Sequence, residues 1–121
     1  MNLFDTDVIV ELLRKRKYKP GALSIVTLIE LLRGLETKKR TEVKKLIEES
    51  FNLLTIDNKV IKSYCELYQN LKEEGVLIPD ADLLIAATAI AHNIPLETKD
   101  KHFQRLENLG LKLAERHQEQ K

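Results

Sequence analysis

Asp5, Glu30, Asp82 and Asp100 are the residues of this 121-residue chain best suited to chemistry. Each stands at or inside an apolar segment. Asp5 closes MNLFD, Glu30 interrupts LSIVTLIELL, Asp82 opens DLLIAATAIA, and Asp100 follows PLET. Carboxylates are rarely buried without a partner or a metal, so four placed alike point to one site assembled by folding. Gathered in one cleft they repel, and their pKa values rise unless a cation neutralises them. Oxygen-only ligands favour Mg²⁺ or Mn²⁺ over zinc, and the three histidines lack metal-binding spacing. A Mg²⁺–carboxylate cluster suits phosphodiester hydrolysis, where the metal activates water and stabilises the leaving alkoxide.

Each acid also has a structural role that competes with the chemical one. Thr27 and Glu30 match a capping box. Asp80 reads as an N-cap, with Asp82 in a dipole-compatible place just inside the helix. Asp100 can cap the segment holding Phe103 and Leu106. Asp5 is the hardest to explain this way, because Asp7 already offers a cap.

Composition narrows the class. Hydrophobic residues make up 43% and charged residues 32%, which describes a globular protein with a real core. The length fits one domain, 1–121, with a frayed polar tail from about 115. One cysteine, Cys65, excludes an internal disulfide and fits a cytoplasmic protein. It falls among Val60, Ile61, Tyr64, Leu67, Tyr68 and Leu71 at helical spacing, where a buried core cysteine is expected. No apolar run is long enough to span a bilayer. The net charge of +1 gives no overall field for a polyanion. The cations are concentrated instead at 14–19 (RKRKYK), which reads either as a solvated helix end or, through Lys15, Arg16 and Lys17, as a contact for a polyanion.

The elements that must position the acids alternate. LF reads as a short strand and VIVELLRKRK as a helix; ALSIV reads as a strand leading into a helix over 27–39. A third helix is expected at 41–50, a strand at NLLTI, and a long helix over 58–74 with Asp57 as its cap and Gly75 as its stop. Pro79 and Asp80 open another helix. PLET is a strand, 101–108 a short helix and LKLA a last strand. Short strands alternating with helices predict an α/β fold with a mainly parallel sheet covered on both faces. Ligands of such sheets sit beyond the strands' carboxyl ends. Asp5 and Asp100 fall there, and Glu30 and Asp82 are expected in the first turns of helices facing that edge.

Four segments make the pattern specific: LFDTDVIVELL at 3–13, LSIVTLIELLRG at 23–34, IPDADLLIAATAIAHNIPL at 78–96 and TKDKHF at 98–103. In type and order they resemble the PIN-domain ribonucleases, and among them the VapC toxins of prokaryotic toxin–antitoxin modules. The resemblance implies a three-layer α/β/α sandwich and a Mg²⁺-dependent endoribonuclease, with Mn²⁺ as a plausible substitute. It implies Asp5 and Asp82 as central metal ligands, completed by Glu30 and Asp100, with Thr6, Thr27 and Thr98 orienting carboxylates or water. It also implies a homodimer joining two acidic clusters, and a cognate antitoxin whose C-terminal segment covers the site.

The sequence departs from that pattern in three places. Asp7 replaces a small polar residue, Glu97 occupies a usually apolar strand position, and the second acid follows only 25 positions after the first. His102 reads as an exposed structural histidine. The alternatives are a PIN nuclease of RNA maturation or decay, a non-catalytic PIN-fold interaction module, and a phosphoacceptor domain. The last needs a strand-end lysine, for which Lys99 is the only candidate, and the acid in DLLIAATA does not suit it.

Overall fold

The computed structural model describes residues 1–115. Its centre is a four-stranded parallel sheet in the order β3–β2–β1–β4, from β1 (Leu3–Phe4), β2 (Ala22–Ser24), β3 (Asn52–Leu54) and β4 (Leu96–Glu97). The helices are α1 (Thr6–Arg14), α2 (Ile25–Arg33), α3 (Thr37–Ser50), α4 (Asn58–Glu74) and α5 (Asp80–His92), followed by a 3₁₀ helix at Lys101–Leu109.

Strand alternation divides the core in two. Leu3, Ala22 and Leu96 join Val60, Leu67 and Leu71 of α4, Leu83, Ile85 and Ala86 of α5, and Phe103 and Leu106 of the 3₁₀ helix. Phe4 and Leu23 face the other way, onto Val8 and Ile9 of α1, Leu28 of α2 and Ile47 of α3. The sheet is thus covered on both faces, the arrangement that short parallel strands require, with β1, β2 and β4 buried and only the edge strand β3 partly exposed. Gly21 lets the chain pass the Phe4 ring: a Cβ there would meet Phe4 Cζ at 2.5 Å.

Helix α4 begins and ends as its signals predict. Asp57 accepts from the Val60 amide, and Gly75 stops the helix at φ 71. Several other boundaries differ. The first helix starts at Thr6 because Asp5 caps it, and it stops at Arg14. Much of the basic run therefore lies beyond the helix, not on its last turn. The strand expected at 22–26 ends at Ser24, whose hydroxyl accepts from the Val26 amide and starts α2 at Ile25. Thr27 and Glu30 thus form no capping box, and Glu30 belongs to the second turn. Gly34 separates α2 from α3, which begins at Thr37. Pro79, not Asp80, holds the N-cap position of α5, and the Asp80 carboxylate accepts from the Tyr64 hydroxyl (2.7 Å). The last strand is reduced to one parallel bridge, Leu113 to Leu96. Of the tail expected to fray, 116–121 lie outside the described residues.

Cys65 is exposed, as are Ile61 and Tyr68. Neighbouring elements cover only the ridge of Val60, Tyr64, Leu67 and Leu71, which is narrower than the apolar pattern. Among the described residues, no helix is long and apolar enough to cross a membrane.

Candidate active site

The four acids reach one edge by three local devices. Asp5 and Asp100 follow β1 and β4 and serve as N-caps. Asp5 Oδ1 accepts from the Thr6 amide (2.8 Å), and Asp100 Oδ1 accepts from the His102 amide (3.1 Å). Capping turns a carboxylate at a strand end towards the helix that follows. Asp82 sits in the first turn of α5, and Glu30 projects from the second turn of α2.

Electrostatics show that they share a field. Asp5, buried at 6% exposure, has its pKa pushed up to about 6, chiefly by burial. Hydrogen bonds from Thr98 and the Thr6 amide oppose that rise, while the charges of Asp7 and Asp82 add to it. Asp82 is also shifted upward, first by burial and then by Glu30 and Asp100, with His102 opposing. Carboxylates that raise one another's pKa are short of positive charge, as expected for a cation site.

The three threonines touch this cluster. Thr98 Oγ1 donates to Asp5 Oδ2 (2.7 Å) and accepts from the Asp100 amide (3.0 Å). Thr6 Oγ1 donates to Glu30 Oε1 (2.6 Å), with the fully buried Thr27 hydroxyl 3.3 Å from it. Asp7 lies at the margin, with Oδ2 accepting from the Lys99 amide (3.2 Å) and Oδ1 buried without a hydrogen bond. Glu97 is not in the cleft. It is buried with Phe4 on the opposite side of β4 from Leu96, where its carboxylate holds Lys19 (2.8 Å) and Asn2 (3.1 Å).

His102 corrects the sequence expectation. Its Nδ1 lies 2.7 Å from Asp100 Oδ1 and its Nε2 3.3 Å from Asp82 Oδ2, although Nε2 makes no hydrogen bond. One ligand atom each from Asp82, Asp100 and His102 lie within 4.8 Å of one another, so the trio can hold a metal ion. Spacing among the histidines could not reveal this, because the partners of His102 are acids. The available signal was the D-x-H pair at 100–102, which a capping turn folds together. Oxygen donors still dominate, which suits a hard divalent cation, and one imidazole also makes the set hospitable to Mn²⁺.

A short parallel sheet with carboxylates gathered at its carboxyl edge defines an α/β domain of the acid-cleft class. The model of the PIN domain family matches residues 3–109. The chain belongs to the PIN-domain family, on its VapC branch. Ribonuclease VapC1 of Methanocaldococcus jannaschii is 41% identical over 118 residues, covering 94% of this chain and 87% of that protein. VapBC-5 from Mycobacterium tuberculosis, a member of the VapBC family of toxin–antitoxin systems, superposes with TM-score 0.70 at 25% identity, covering 93% and 98%. VapBC-1 of nontypeable Haemophilus influenzae gives TM-score 0.80 over 94% and 96%. At 24% identity that last likeness speaks for the fold alone.

Proposed function

We propose that this protein is a divalent-metal-dependent endoribonuclease, the cytoplasmic toxin of a VapBC-type pair, folded as one domain. The observation that carries this reading is the convergence of Asp5, Glu30, Asp82 and Asp100 on one edge, with Asp5 and Asp82 both shifted upward. Asp5 and Asp82 are the central holders of the ion, and Glu30 and Asp100 complete the cluster directly or through water. His102 is the nitrogen donor within reach of Asp82 and Asp100. Mg²⁺, with Mn²⁺ as a substitute, supplies Lewis-acid polarisation of the phosphodiester and a lowered pKa for water.

The chain's own residues supply position. Two hydrogen bonds fix both oxygens of Asp5, and Thr6 fixes one oxygen of Glu30. Such outer contacts hold carboxylates in a single geometry, and their loss commonly weakens metal sites roughly 10- to 100-fold. Hydrolysis adds water's oxygen to phosphorus, breaks one P–O ester bond and protonates the leaving alkoxide. The site favours this by aligning water with phosphorus and by setting preorganised charge where negative charge develops.

RNA is the substrate, and a cognate antitoxin that covers the acid cleft is the partner. A homodimer belongs to the same reading, supported by the exposed apolar residues Ile61, Tyr68 and Leu77. The test is cleavage of cellular RNA by purified protein with Mg²⁺, with Mn²⁺ and with chelator, beside Asp82→Asn. Metal-dependent cutting that the variant lacks is the expected result. Cutting that survives in Asp82→Asn or in chelator would overturn the reading. A small protein encoded beside this chain that copurifies and blocks cutting identifies the antitoxin, and light scattering of the purified chain reads the dimer.

A further inference from the structure

Helix α1 ends on a Schellman motif whose left-handed position is filled by Arg16. The Arg16 amide donates to Leu13 O (3.2 Å) and the Lys17 amide to Leu12 O (3.0 Å), with Arg16 at φ 53. Glycine is the usual occupant, because a Cβ is strained there. A long cationic side chain kept at a strained position directs attention to function. The turn exposes Arg14, Arg16 and Lys17, which have no acidic partner among the described residues.

The same turn delivers Tyr18, 64% exposed yet fixed in place. Its hydroxyl donates to Ser50 O (3.0 Å), and its ring lies 5.7 Å from that of Phe51, which meets Phe4 edge-on at 6.0 Å. An exposed ring already immobilised loses little entropy when something stacks on it. Beside it opens a cleft of about 680 Å³ lined by Asn2, Tyr18, Glu48, Glu49, Phe51 and Asn52. Amides and carboxylates next to an aromatic face suit the edges of a base and repel phosphate.

Between this cleft and the acids runs one ridge of α1, carrying Asp7, Glu11 and Lys15 at i, i+4 and i+8. Lys99, adjacent to Asp100, reaches Glu11 Oε1 (2.8 Å), and Lys15 takes Glu11 Oε2 (2.9 Å). Two lysines share the Glu11 carboxylate and, with Asp7 on the same ridge, the formal charges balance, so the surplus of positive charge lies at the turn beyond, on Arg14, Arg16 and Lys17. The helix rises about 12 Å over this stretch, within the reach of a short single strand.

From this arrangement we infer that single-stranded RNA leaves the acid cleft along α1. Its phosphates follow Lys99, Lys15, Arg14, Arg16 and Lys17, and Tyr18 stacks an unpaired base at the cleft beside Phe51. This deepens the ribonuclease reading and rests on it.

The test measures binding in an Asp82→Asn background, by anisotropy of a fluorescein-labelled single-stranded RNA of about 12 nucleotides across a salt series. Tyr18→Ala weakens binding roughly 10-fold, whereas Tyr18→Phe keeps most of the affinity. Arg16→Gly melts no lower than its parent, since strain is relieved, yet binds RNA less tightly with a salt slope smaller by about 0.7. An RNA carrying 5-iodouridine crosslinks to Tyr18 on irradiation. Unchanged affinity and slope in both Tyr18→Ala and Arg16→Gly would overturn the track and leave that face to an acidic protein partner. Wild-type cleavage would then still uphold the ribonuclease. A wild-type protein that neither binds nor cuts RNA would remove both.

Discussion

Replacing Asp5 with asparagine should stabilise the metal-free protein at neutral pH, and the size of the effect follows from the site. Burial, with Asp7 and Asp82 nearby, holds the Asp5 pKa at about 6 instead of the usual 3.8. The folded state therefore binds this proton more tightly than the unfolded chain does. Stability of the metal-free protein falls as pH rises through the window between those two values, then levels off. A shift of that size corresponds to about 3 kcal/mol of unfavourable charge at pH 8. Asparagine keeps an oxygen for the Thr6 amide, but it gives up the carboxylate's attraction to the α1 dipole, roughly 0.5–1 kcal/mol. It also turns an amide towards the Thr98 hydroxyl. The net expectation is a gain of about 2 kcal/mol at pH 8 and no gain at pH 4. Urea denaturation in chelator from pH 4 to pH 8 measures this directly. Saturating Mg²⁺ should narrow or reverse the order, because only the wild type keeps a full ligand set and gains stability by binding. A difference that stays flat with pH, or a variant less stable at pH 8 than the wild type, would refute the claim that Asp5 is a strained carboxylate awaiting a cation.

Three further substitutions probe the frame around the site. Thr98→Val removes the hydroxyl donated to Asp5 Oδ2 and should lift that pKa further. The acid limb of the pH–activity profile then moves to higher pH and cleavage falls about 10-fold or more; an unmoved limb would separate Asp5 from catalysis. Gly21→Ala drives a methyl into the Phe4 ring and should cost about 2 kcal/mol or more in a thermal melt. Gly75→Ala meets no atom within 4 Å, so its cost is the left-handed backbone alone, about 1 kcal/mol. Equal losses at the two glycines would contradict that division between packing and backbone strain.

Local order accounts for what was readable along the chain. The span of α4 follows from Asp57, the apolar periodicity and Gly75, all of which act within a few residues. The acids were conspicuous because each breaks an apolar run beside a strand or helix start, and the parallel sheet followed from the alternation of short elements. Misread boundaries were also local: Ser24 outcompeted Thr27 as a cap, and Asp5 took the place given to Asp7.

Other features depend on what lies across space. Cys65 and Leu67 share one apolar pattern, but only Leu67 meets the neighbouring helices, so one is exposed and the other buried. Glu97 was only an acid at a usually apolar strand position until strand alternation turned it to Lys19, and His102 resembled a bystander until the turn at Asp100 set it beside Asp82. The sequence by itself determined which carboxylates exist and which element ends carry them, because capping and periodicity are short-range. Only the tertiary structure decided which of them meet and how far burial moves their pKa values, since desolvation and charge repulsion depend on distances between segments far apart in the chain.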